Sequence, residues 1–403
     1  MARSKIHVGI EIGTSKILAV VGEINSDGSI KILGTGETPS RGVRKGEITD
    51  FKTVHTCLHE AIFRAEERSD VQIRTVILSV SGGHIQSLNN RGLIDLPEDQ
   101  NEITEEDIEE LKRVSREVEI PRENVFIHSA LRHYYVDGQE RVINPLGRLC
   151  NRLEASYHIV HGVKTRISNA ITCIKEMMLD VEAVVFSPLA SAQIVLNRPA
   201  REQGALMIDI GGGTTDYALY RDGVVAQSGC IPVGGDHITN DIAVCFKLPL
   251  SKAEKVKITE GCAIPGDPEL SETVHLADEP SFTGRHIRRE ELDLVINARV
   301  AETFELLRDR LRKNGGLDRI AGGVWLTGGS SRLHGIDRLA KEIFQMPVQR
   351  HEPPHTQGPP AASENPAYST ALGLIRYAQL RDNDLREAGR LRSLVRSLFS
   401  RIR

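Results

Sequence analysis

A short pattern that occurs twice in this chain constrains its fold more than any other feature. An acidic residue, an isoleucine and a glycine end a predicted strand at Glu11-Ile12-Gly13 and again at Asp209-Ile210-Gly211. Apolar runs bounded by turn residues predict two further strands after each copy, so each copy opens a three-stranded meander. These strands are predicted over residues 5–12, 17–24 and 30–35, and over 206–210, 216–220 and 224–231. The pattern predicts two related halves, and the duplicated turns predict a duplicated site.

Composition excludes several classes of protein. The 403 residues are 40% hydrophobic and 26% charged, which is typical of a globular chain and argues against a disordered or fibrous one. A formal net charge of -4 does not provide the cationic field that a dedicated nucleic-acid-binding protein needs. We therefore expect no nucleic-acid partner.

The cysteines and the N-terminus indicate a compartment. The six cysteines are scattered and include no Cys-x-x-Cys pair, so we expect neither a zinc site nor a disulfide framework, and a reducing environment. The N-terminus lacks the long apolar core of a leader, and no stretch reaches the roughly 18 apolar residues of a membrane span. These features predict a protein kept in the cytoplasm.

Residues 84–162 are predicted to form a compact unit inserted into the first half. An acidic stretch over 98–107 leads into a helix that Thr104 is expected to cap together with Asp107. Ile108, Leu111 and Val118 are expected to form the buried stripe of this helix. Short strands are predicted around it, over 92–97, 125–130, 133–137 and 155–160.

The rest of the chain is predicted to contain a long helix, a third glycine turn and a closing helix. Apolar residues spaced by three and four from Leu292 to Leu311 predict the long helix, which Gly315 and Gly316 end. A strand is predicted over 323–326, an exposed loop rich in Pro, His and Gly over 351–366, and the last helix over 368–380.

The first two glycine turns predict phosphate-binding sites. The first is not a Walker A loop, because Gly-Lys-Ser/Thr does not follow at the required spacing. Its free backbone N–H groups can still cradle phosphate oxygens, beside hydroxyl donors and a lysine. Glu11 and Asp209 precede the two turns and are candidates to hold Mg²⁺ through water. The candidate phosphate-binding residues are Gly13, Thr14, Ser15 and Lys16, and Gly211, Gly212, Gly213, Thr214 and Thr215.

The third glycine turn, at Gly328 and Gly329, follows a predicted strand and precedes a helix. Such a turn lets the backbone approach a flat adenine ring, beside Ser330, and Arg332 can stack on the ring. One glycine hairpin after a strand is usually only a turn. Three such elements in this order favour a nucleotide site.

These motifs resemble the superfamily of actin, Hsp70 and sugar kinases, and more closely the FtsA family of bacterial cell-division proteins. The motifs that carry the resemblance over nearly the whole chain are GIEIGTSK, SGGHIQSLNNRG, PLASAQIVL, IDIGGGTTDYAL, IPVGGDHITNDIAV, AEKVKITEGCA, LTGGSSRLHGI and YSTALGLIRYA. The resemblance implies an actin-like α/β fold of two duplicated halves, subdomains 1A and 2A, with inserted subdomains 1C and 2B and a nucleotide cleft between the halves. The implied boundaries are 1–83, 163–197 and 367–380 for 1A, 84–162 for 1C, 198–244 and 321–366 for 2A, 245–320 for 2B, and 381–387 for a linker.

The resemblance also implies roles for individual residues. The first two turns correspond to phosphate loops 1 and 2, and Gly234 and Gly235 correspond to a loop near the nucleotide. Glu254 and Lys257 match the Glu-x-x-Lys helix that holds the ribose and adenine of ATP. Without that context, the same two residues predict only a solvated helical ion pair.

One position departs from related ATPases. Actin and Hsp70 carry Gln or Glu at the start of the first connecting helix to orient the attacking water, whereas Ser187 stands here. Asp209 remains a candidate to organise Mg²⁺ and water. Asp216 is a second candidate, and the alternative role expected for it is to stabilise the turn. Because phosphoryl transfer depends on positioning and charge stabilisation, we expect tight ATP binding with slow or negligible turnover.

The last sixteen positions, 388–403, predict an amphipathic membrane-targeting helix. Its apolar stripe is Leu391, Leu394, Val395, Leu398, Phe399 and Ile402, and arginines including Arg392 and Arg396 occupy the other faces. This pattern is typical of a helix that lies in an anionic membrane surface. A terminal helix docked on the protein itself usually carries mixed charge on its outer face.

The resemblance implies a function at the division site. FtsA family members bind ATP, polymerise on the cytoplasmic face of the inner membrane, tether FtsZ filaments, and recruit later division proteins through 1C. The FtsZ C-terminal peptide is expected on 2B, where Arg299 is the residue nominated to meet it; a solvent-facing arginine without a partner is the alternative. The rival interpretations are a PilM-like pilus-assembly platform, which would lack the basic amphipathic tail, and a small-molecule kinase, which would need an acceptor pocket.

Overall fold

The structure is a computed structural model and describes residues 5–25, 27–97, 102–138, 140–278, 282–313, 315–318, 320–351 and 356–382. The predicted membrane-targeting helix over 388–403 lies outside the described residues, as does most of the predicted linker. Within the described ranges, no helix combines the length and the apolar character needed to cross a membrane.

The first half opens with the predicted three-stranded meander. Its elements are β1 (Lys5–Ile12), β2 (Lys16–Ile24), β3 (Ile30–Pro39), β4 (Val43–Arg44), β5 (Glu47–Ile48), α1 (Phe51–Ser69) and β6 (Thr75–Val80). Strand β1 pairs antiparallel with β2 and parallel with β6. Asp50 caps the start of helix α1, since its carboxylate accepts a hydrogen bond from the Thr53 backbone N–H. The helix buries Val54, Leu58 and Ala61 against the sheet.

The insert is an antiparallel sheet covered by one helix. Its elements are β7 (Ile85–Asp95), α2 (Glu105–Arg116), β8 (Asn124–Val136), β9 (Glu140–Val142) and β10 (Arg152–Val163), with the strand order β7-β10-β8-β9. The prediction of four short strands is wrong in its bounds, because the predicted strands over 125–130 and 133–137 form the single strand β8, which pairs with β10 along its length. Register shifts, as between Ser156 and Tyr157, interrupt the alternation that would mark one continuous strand in the sequence.

Helix α2 carries the predicted capping box. The Thr104 hydroxyl accepts a hydrogen bond from the Asp107 backbone N–H at 3.3 Å, and the Asp107 carboxylate accepts one from the Thr104 N–H at 2.8 Å. Leu111 is fully buried and Ile108 is partly buried, as predicted. Val118 packs against the same core but lies beyond the helix, which ends at Arg116.

The chain then completes the first half and builds the second. The elements are α3 (Lys164–Lys175), β11 (Asp180–Phe186), α4 (Ser187–Val195), α5 (Arg198–Gln203), β12 (Ala205–Ile210), β13 (Thr215–Arg221), β14 (Val224–Ile231), α6 (Gly235–Phe246), α7 (Leu250–Glu260), β15 (Thr273–Leu276), β16 (Arg285–Arg288), α8 (Arg289–Lys313), β17 (Val324–Thr327), α9 (Ile336–Phe344) and β18 (Val348–Arg350). Strand β12 pairs antiparallel with β13 and parallel with β17. This repeats the pairing of β1 with β2 and β6, so the predicted duplication of the halves is confirmed.

The last segments return to the first half. They are β19 (Thr356–Gln357), α10 (Pro360–Ser363), the 3-10 turn Pro366–Tyr368 and helix α11 over 369–382. The prediction of an exposed loop over 351–366 is wrong in part, because Thr356 pairs with Ile30 at the edge of the first sheet and Ala362 is buried. Helix α11 runs beyond the predicted end at residue 380, and the Lys5 ammonium donates to the Asp382 carboxylate at 2.8 Å.

The two halves meet across helix α4. Leu189 and Ala192 pack with Met207 and Ala218 of the second sheet. On the other side, Ala190 packs with α11 and with strands of the first sheet. Because β1 and β12 occupy matching positions in the two sheets, the glycine turns that follow them face each other across a cleft.

Candidate functional site

A cavity of about 590 Å³ lies between the two halves, within the range of small-molecule sites. The sequence-predicted residues that line it are Glu11, Gly13, Thr14, Ser15, Lys16, Asp209, Gly211, Gly212, Gly213, Thr214, Glu254, Lys257, Gly329, Ser330 and Arg332. Residues from β1, β12, α7 and the segment after β17 therefore converge on one space, although they are far apart in the sequence.

The two duplicated turns approach each other closely and have the same backbone geometry. In the first, the Gly13 N–H donates to the Lys16 carbonyl at 3.0 Å, and in the second the Gly211 N–H donates to the Thr214 carbonyl at 2.9 Å. A Cβ on Gly213 would lie 2.5 Å from the Thr14 hydroxyl oxygen, so only glycine permits this approach. The site at this junction is built from both halves at once.

Three carboxylates that line the cavity are shielded from solvent: Asp209 and Asp216 are buried, and Glu11 is partly buried. The Asp209 carboxylate accepts hydrogen bonds from the Ser191 hydroxyl at 2.7 Å and the Thr370 hydroxyl at 3.2 Å. The Asp216 carboxylate accepts from the Ser81 hydroxyl at 2.6 Å. The Glu11 Oε2 atom is buried and has no hydrogen-bond partner among the described residues.

Burial controls the electrostatics of these carboxylates. It raises the pKa of Glu11 to about 7, although the charge of Lys16 opposes the shift. It raises the pKa of Asp216 to about 7 and also raises the pKa of Asp209. A bound cation would lower these pKa values again by favouring the charged carboxylates, and an oxygen without a partner is a suitable acceptor for water bound to Mg²⁺. The donor set therefore fits a hydrated divalent cation.

Lys16 lines the cavity and contacts the segment that precedes α11. Its ammonium donates a hydrogen bond to the Ala367 carbonyl and lies 5.7 Å from the centre of the Tyr368 ring. It therefore connects the first turn to the segment that enters α11, while its charge remains beside Glu11.

The predicted Glu-x-x-Lys pair on α7 is not a solvated ion pair. The Lys257 side chain is only 10% exposed. Its ammonium donates to the Gly235 carbonyl at 3.1 Å, to the Thr239 hydroxyl at 2.9 Å and to Glu254 Oε2 at 2.6 Å. These contacts fix both side chains at the wall of the cavity and tie α7 to the start of α6.

The remaining predicted residues lie behind the lining rather than in it. The Thr215 hydroxyl donates to the Val233 carbonyl at 2.8 Å, and the Gly235 N–H donates to the Gly211 carbonyl at 2.9 Å. Gly234 packs against the backbone of the second turn, and Gly328 packs against Asp209. These four positions support the turns that form the wall.

Sequence reasoning missed several residues of the site. Ser191 and Thr370, which hold Asp209, lie on α4 and α11, and Ser81 follows β6. Ser191 follows Ser187 by one helical turn and lies within the PLASAQIVL motif, but neither signal indicates that it contacts Asp209. Ser187 begins α4 as predicted and lines the cavity, and its hydroxyl donates to the Val80 carbonyl at 3.1 Å.

Arg299 lies on α8, outside the residues that line the cavity. Its guanidinium donates to the Asp241 carboxylate on α6 at 2.6 Å and to Glu302. The alternative of a solvent-facing arginine without a partner is therefore wrong.

Family models and relatives place the chain among known proteins. A model described as "Cell division protein FtsA" matches residues 206–373, and one described as "SHS2 domain inserted in FTSA" matches residues 82–161. The chain is 35% identical over 380 residues to the cell division protein FtsA of Pseudomonas aeruginosa, covering 94% of this chain and 91% of the relative. The chain is also 35% identical over 382 residues to FtsA of Escherichia coli K12, covering 93% of this chain and 90% of the relative.

Solved structures from other systems share the fold. A chain of the PilM-PilN type IV pilus biogenesis complex matches with a TM-score of 0.66 and 18% identity, covering 91% of this chain and 97% of that one. MreB5 of Spiroplasma citri bound to ADP matches with a TM-score of 0.54 and 18% identity, covering 95% of this chain and 98% of that one. The MamK double helical filament matches with a TM-score of 0.55 and 11% identity, covering 93% of this chain and 98% of that one. The predicted actin-like architecture is confirmed, and at these identities the likeness concerns the fold alone.

Proposed function

The chain belongs to the FtsA family of cell division proteins, and on that premise we propose that it is an ATP-dependent membrane adaptor of the division machinery. It binds Mg-ATP between its halves, assembles with other copies of itself, and links FtsZ filaments to the cytoplasmic face of the inner membrane. Later division proteins dock on the insert.

The cavity between the halves carries the nucleotide part of this proposal. Backbone N–H groups of the two facing turns are proposed to hold phosphate oxygens, and Lys16, which lines the same cavity, adds a positive charge. Glu11 and Asp209 are the residues proposed to hold Mg²⁺ through water. When bound, Mg-ATP supplies a phosphate chain whose negative charge both halves can contact.

The same contacts favour binding over turnover. Ser187 stands where related ATPases carry Gln or Glu, and its hydroxyl donates to a backbone carbonyl. Asp209 and Asp216 accept hydrogen bonds from Ser191, Thr370 and Ser81, so these carboxylates are held in place by neighbouring hydroxyls. We therefore propose slow hydrolysis at most.

The adaptor needs a docking surface for FtsZ, which we place on the second-half subdomain over 245–320. Arg299 is proposed to meet an acidic peptide there. Because Asp241 and Glu302 already pair with its guanidinium, an incoming carboxylate replaces an existing partner instead of pairing with a free charge. Self-assembly is supported by the fold, which a double helical filament of MamK shares.

Membrane attachment is assigned to residues 388–403. Each arginine near an anionic surface contributes about 1 kcal/mol. The apolar stripe adds about 25 cal/mol for each Å² that it buries, reduced by the free-energy cost of ordering the segment. One copy is expected to bind reversibly, whereas an assembled filament places many copies on one membrane and raises avidity.

The rival functions have less support. The likeness to a PilM-PilN complex is one of fold at 18% identity, whereas relatives with 35% identity over nearly the whole chain are cell division proteins. A small-molecule kinase would need an acceptor pocket beside the nucleotide, and the relatives with 35% identity are cell division proteins instead.

Co-sedimentation with anionic liposomes tests the adaptor proposal. The full chain with Mg-ATP should pellet with the liposomes and should carry a labelled FtsZ tail peptide with it. Truncation after Leu385 should leave the protein in the supernatant. Leu394→Asp, which puts a charge into the apolar stripe, should do the same, whereas Ser397→Ala on the polar side should not. Unchanged pelleting of the truncated chain would show that the anchor lies elsewhere.

A further inference from the structure

A second group of chemically reactive side chains lies in the second half, outside the nucleotide cavity. Cys262 Sγ, a carboxylate oxygen of Asp267 and a ring nitrogen of His334 all lie within 4.8 Å of one another. Cys262 follows the end of α7, Asp267 lies in the loop before β15, and His334 precedes α9. Three separate segments therefore bring one sulfur, one oxygen and one nitrogen ligand to one place.

The backbone fixes these side chains relative to each other. Cys262 and His334 form a parallel β-bridge, and the Ala263 N–H donates to the His334 carbonyl at 2.8 Å. A Cβ on Gly335, whose φ is +73°, would lie 3.4 Å from Cys262 Sγ, so the chain after His334 packs directly on the thiol. The two ligands are therefore positioned before any ion binds.

The cluster is buried on one side and open on the other. Cys262 is fully buried and Asp267 is 5% exposed, whereas the His334 side chain is 46% exposed. His334 Nε2 lies 3.1 Å from Asp267 Oδ2, close to the roughly 3.3 Å expected between two ligands that are each about 2.0 Å from a tetrahedral ion. An ion can reach the cluster from the side of the histidine.

A fourth residue supports a cation at this place. Asp293, on α8, is fully buried, and its Oδ1 atom accepts a hydrogen bond from the Cys262 N–H at 3.3 Å. Its Oδ2 atom is buried without a hydrogen-bond partner among the described residues. This buried oxygen therefore has no hydrogen-bond donor among the described residues, although the charge of Arg289 acts on the same carboxylate.

We propose that Cys262, Asp267 and His334 form a binding site for a zinc-type divalent cation, with Asp293 behind Cys262 as an acceptor for water bound to the ion. Sulfur, imidazole and carboxylate ligands together are typical of Zn²⁺, whereas Mg²⁺ and Ca²⁺ prefer oxygen ligands alone. On binding, the thiol releases its proton to solvent and the sulfur takes the metal in its place.

Arg338 is the competitor of the metal. Its guanidinium donates a hydrogen bond to the Asp267 carboxylate, and its side chain is 48% exposed. When the ion enters, Arg338 can turn into solvent. The site is therefore expected to bind zinc more weakly than it would without this arginine.

This site does not follow the spacing that predicts zinc sites from sequence. The six cysteines include no Cys-x-x-Cys pair, and Cys262 alone would be assigned to the core. Its partners come from a loop and from a distant segment, which only the folded chain brings together.

Metal binding to the full chain, untagged and stripped of metal, tests the proposal. Zn²⁺ binding is measured by equilibrium dialysis and Co²⁺ binding by absorption spectroscopy, and no nucleotide is present in either experiment. The wild type should bind Zn²⁺, and Co²⁺ should give thiolate-to-metal charge-transfer absorption. Cys262→Ser and His334→Gln should each weaken binding at least about tenfold, since even outer-shell changes cost about that much. Arg338→Gln should strengthen it. Cys245→Ser, at an exposed cysteine of α6, is the matched control and should change nothing.

Two results would overturn the assignment. One is the absence of measurable binding in both the wild type and Arg338→Gln, which would leave the cluster as an ion-pair contact only. The other is unchanged affinity in Cys262→Ser. Because Arg338→Gln should shift affinity in the opposite direction from the ligand variants, general destabilisation cannot produce the expected pattern.

Discussion

At the residue scale, burial raises the pKa of Glu11, Asp209 and Asp216 in the cavity, so keeping these carboxylates charged there costs free energy. Hydroxyls compensate two of them, since Ser191 and Thr370 donate to Asp209 and Ser81 donates to Asp216. Glu11 keeps one buried oxygen without a partner among the described residues. Carboxylates shielded from solvent are costly unless they are paired, so these three beside two glycine turns are the basis for proposing a cation here.

A buried histidine gives a prediction about pH. His158 is 1% exposed and lies between the insert and the second half. Its Nδ1–H donates to the Asn89 amide oxygen at 2.7 Å, and Nε2 accepts from the Ser228 hydroxyl at 2.8 Å. Burial lowers the pKa of His158 to about 3, so the folded protein keeps it neutral.

The lowered pKa of His158 makes the stability of the fold depend on pH. Between pH 6.5 and about 3 the unfolded chain binds a proton at His158 and the folded chain does not, so the free energy of unfolding falls as pH falls. His158→Gln removes this contribution. Between pH 7.5 and 5, urea unfolding should show the wild type losing up to about 2 kcal/mol more than the variant. An equal loss of unfolding free energy in the wild type and His158→Gln would contradict a neutral His158. His59→Gln, at an exposed histidine, is the control.

Helix ends give the clearest prediction at the scale of elements. Thr104→Ala removes the hydroxyl that accepts the Asp107 N–H at the start of α2 and should lower the free energy of unfolding by about 1 kcal/mol. Thr104→Ser keeps the hydroxyl and should retain most of that stability. Chemical denaturation measures both variants, and an equal loss in the two would show that the cap contributes nothing.

The contact between α6 and α8 gives a prediction about FtsZ. Asp241→Asn weakens the hold on Arg299 and should strengthen binding of an FtsZ tail peptide, whereas Arg299→Glu should weaken it. Arg308→Glu, on the same helix, is the matched control. Fluorescence anisotropy of a labelled peptide measures all three. If Arg299→Glu binds as tightly as the wild type, Arg299 is not the contact.

Helices and strands could be predicted from the sequence where the pattern of neighbouring residues determines them. The meander after each glycine turn and the capping box of α2 are visible in consecutive residues, and the structure has them. The long strand β8 was not, because its bulged pairing with β10 breaks the alternation. The pairing of β19 with β3 joins residues far apart in the sequence, so a stretch rich in proline and glycine gave no sign of it.

At the scale of the whole molecule, duplication makes the cleft predictable. That the two glycine turns meet at one cavity could be predicted from the sequence, because each turn follows a matching strand and acid, and their roles there stay a prediction. Ser191 and Thr370 could not be predicted, since they reach Asp209 only after α4 and α11 pack between the halves. The cluster of Cys262, Asp267 and His334 is hidden in the same way.

A nucleotide held by both halves should stabilise the chain as one unit. By mass action, a ligand at 100 times its dissociation constant adds about 2.7 kcal/mol to the free energy of unfolding. The most direct test of the account is therefore an Mg-ATP titration of the wild type and of Asp209→Asn, followed by calorimetry and by thermal unfolding. Asp27→Asn, in an exposed turn, is the matched control. We expect saturable, Mg²⁺-dependent binding and stabilisation in the wild type and the control, and at least a tenfold weaker affinity in Asp209→Asn. Equal affinity in all three proteins would contradict a nucleotide site between the halves.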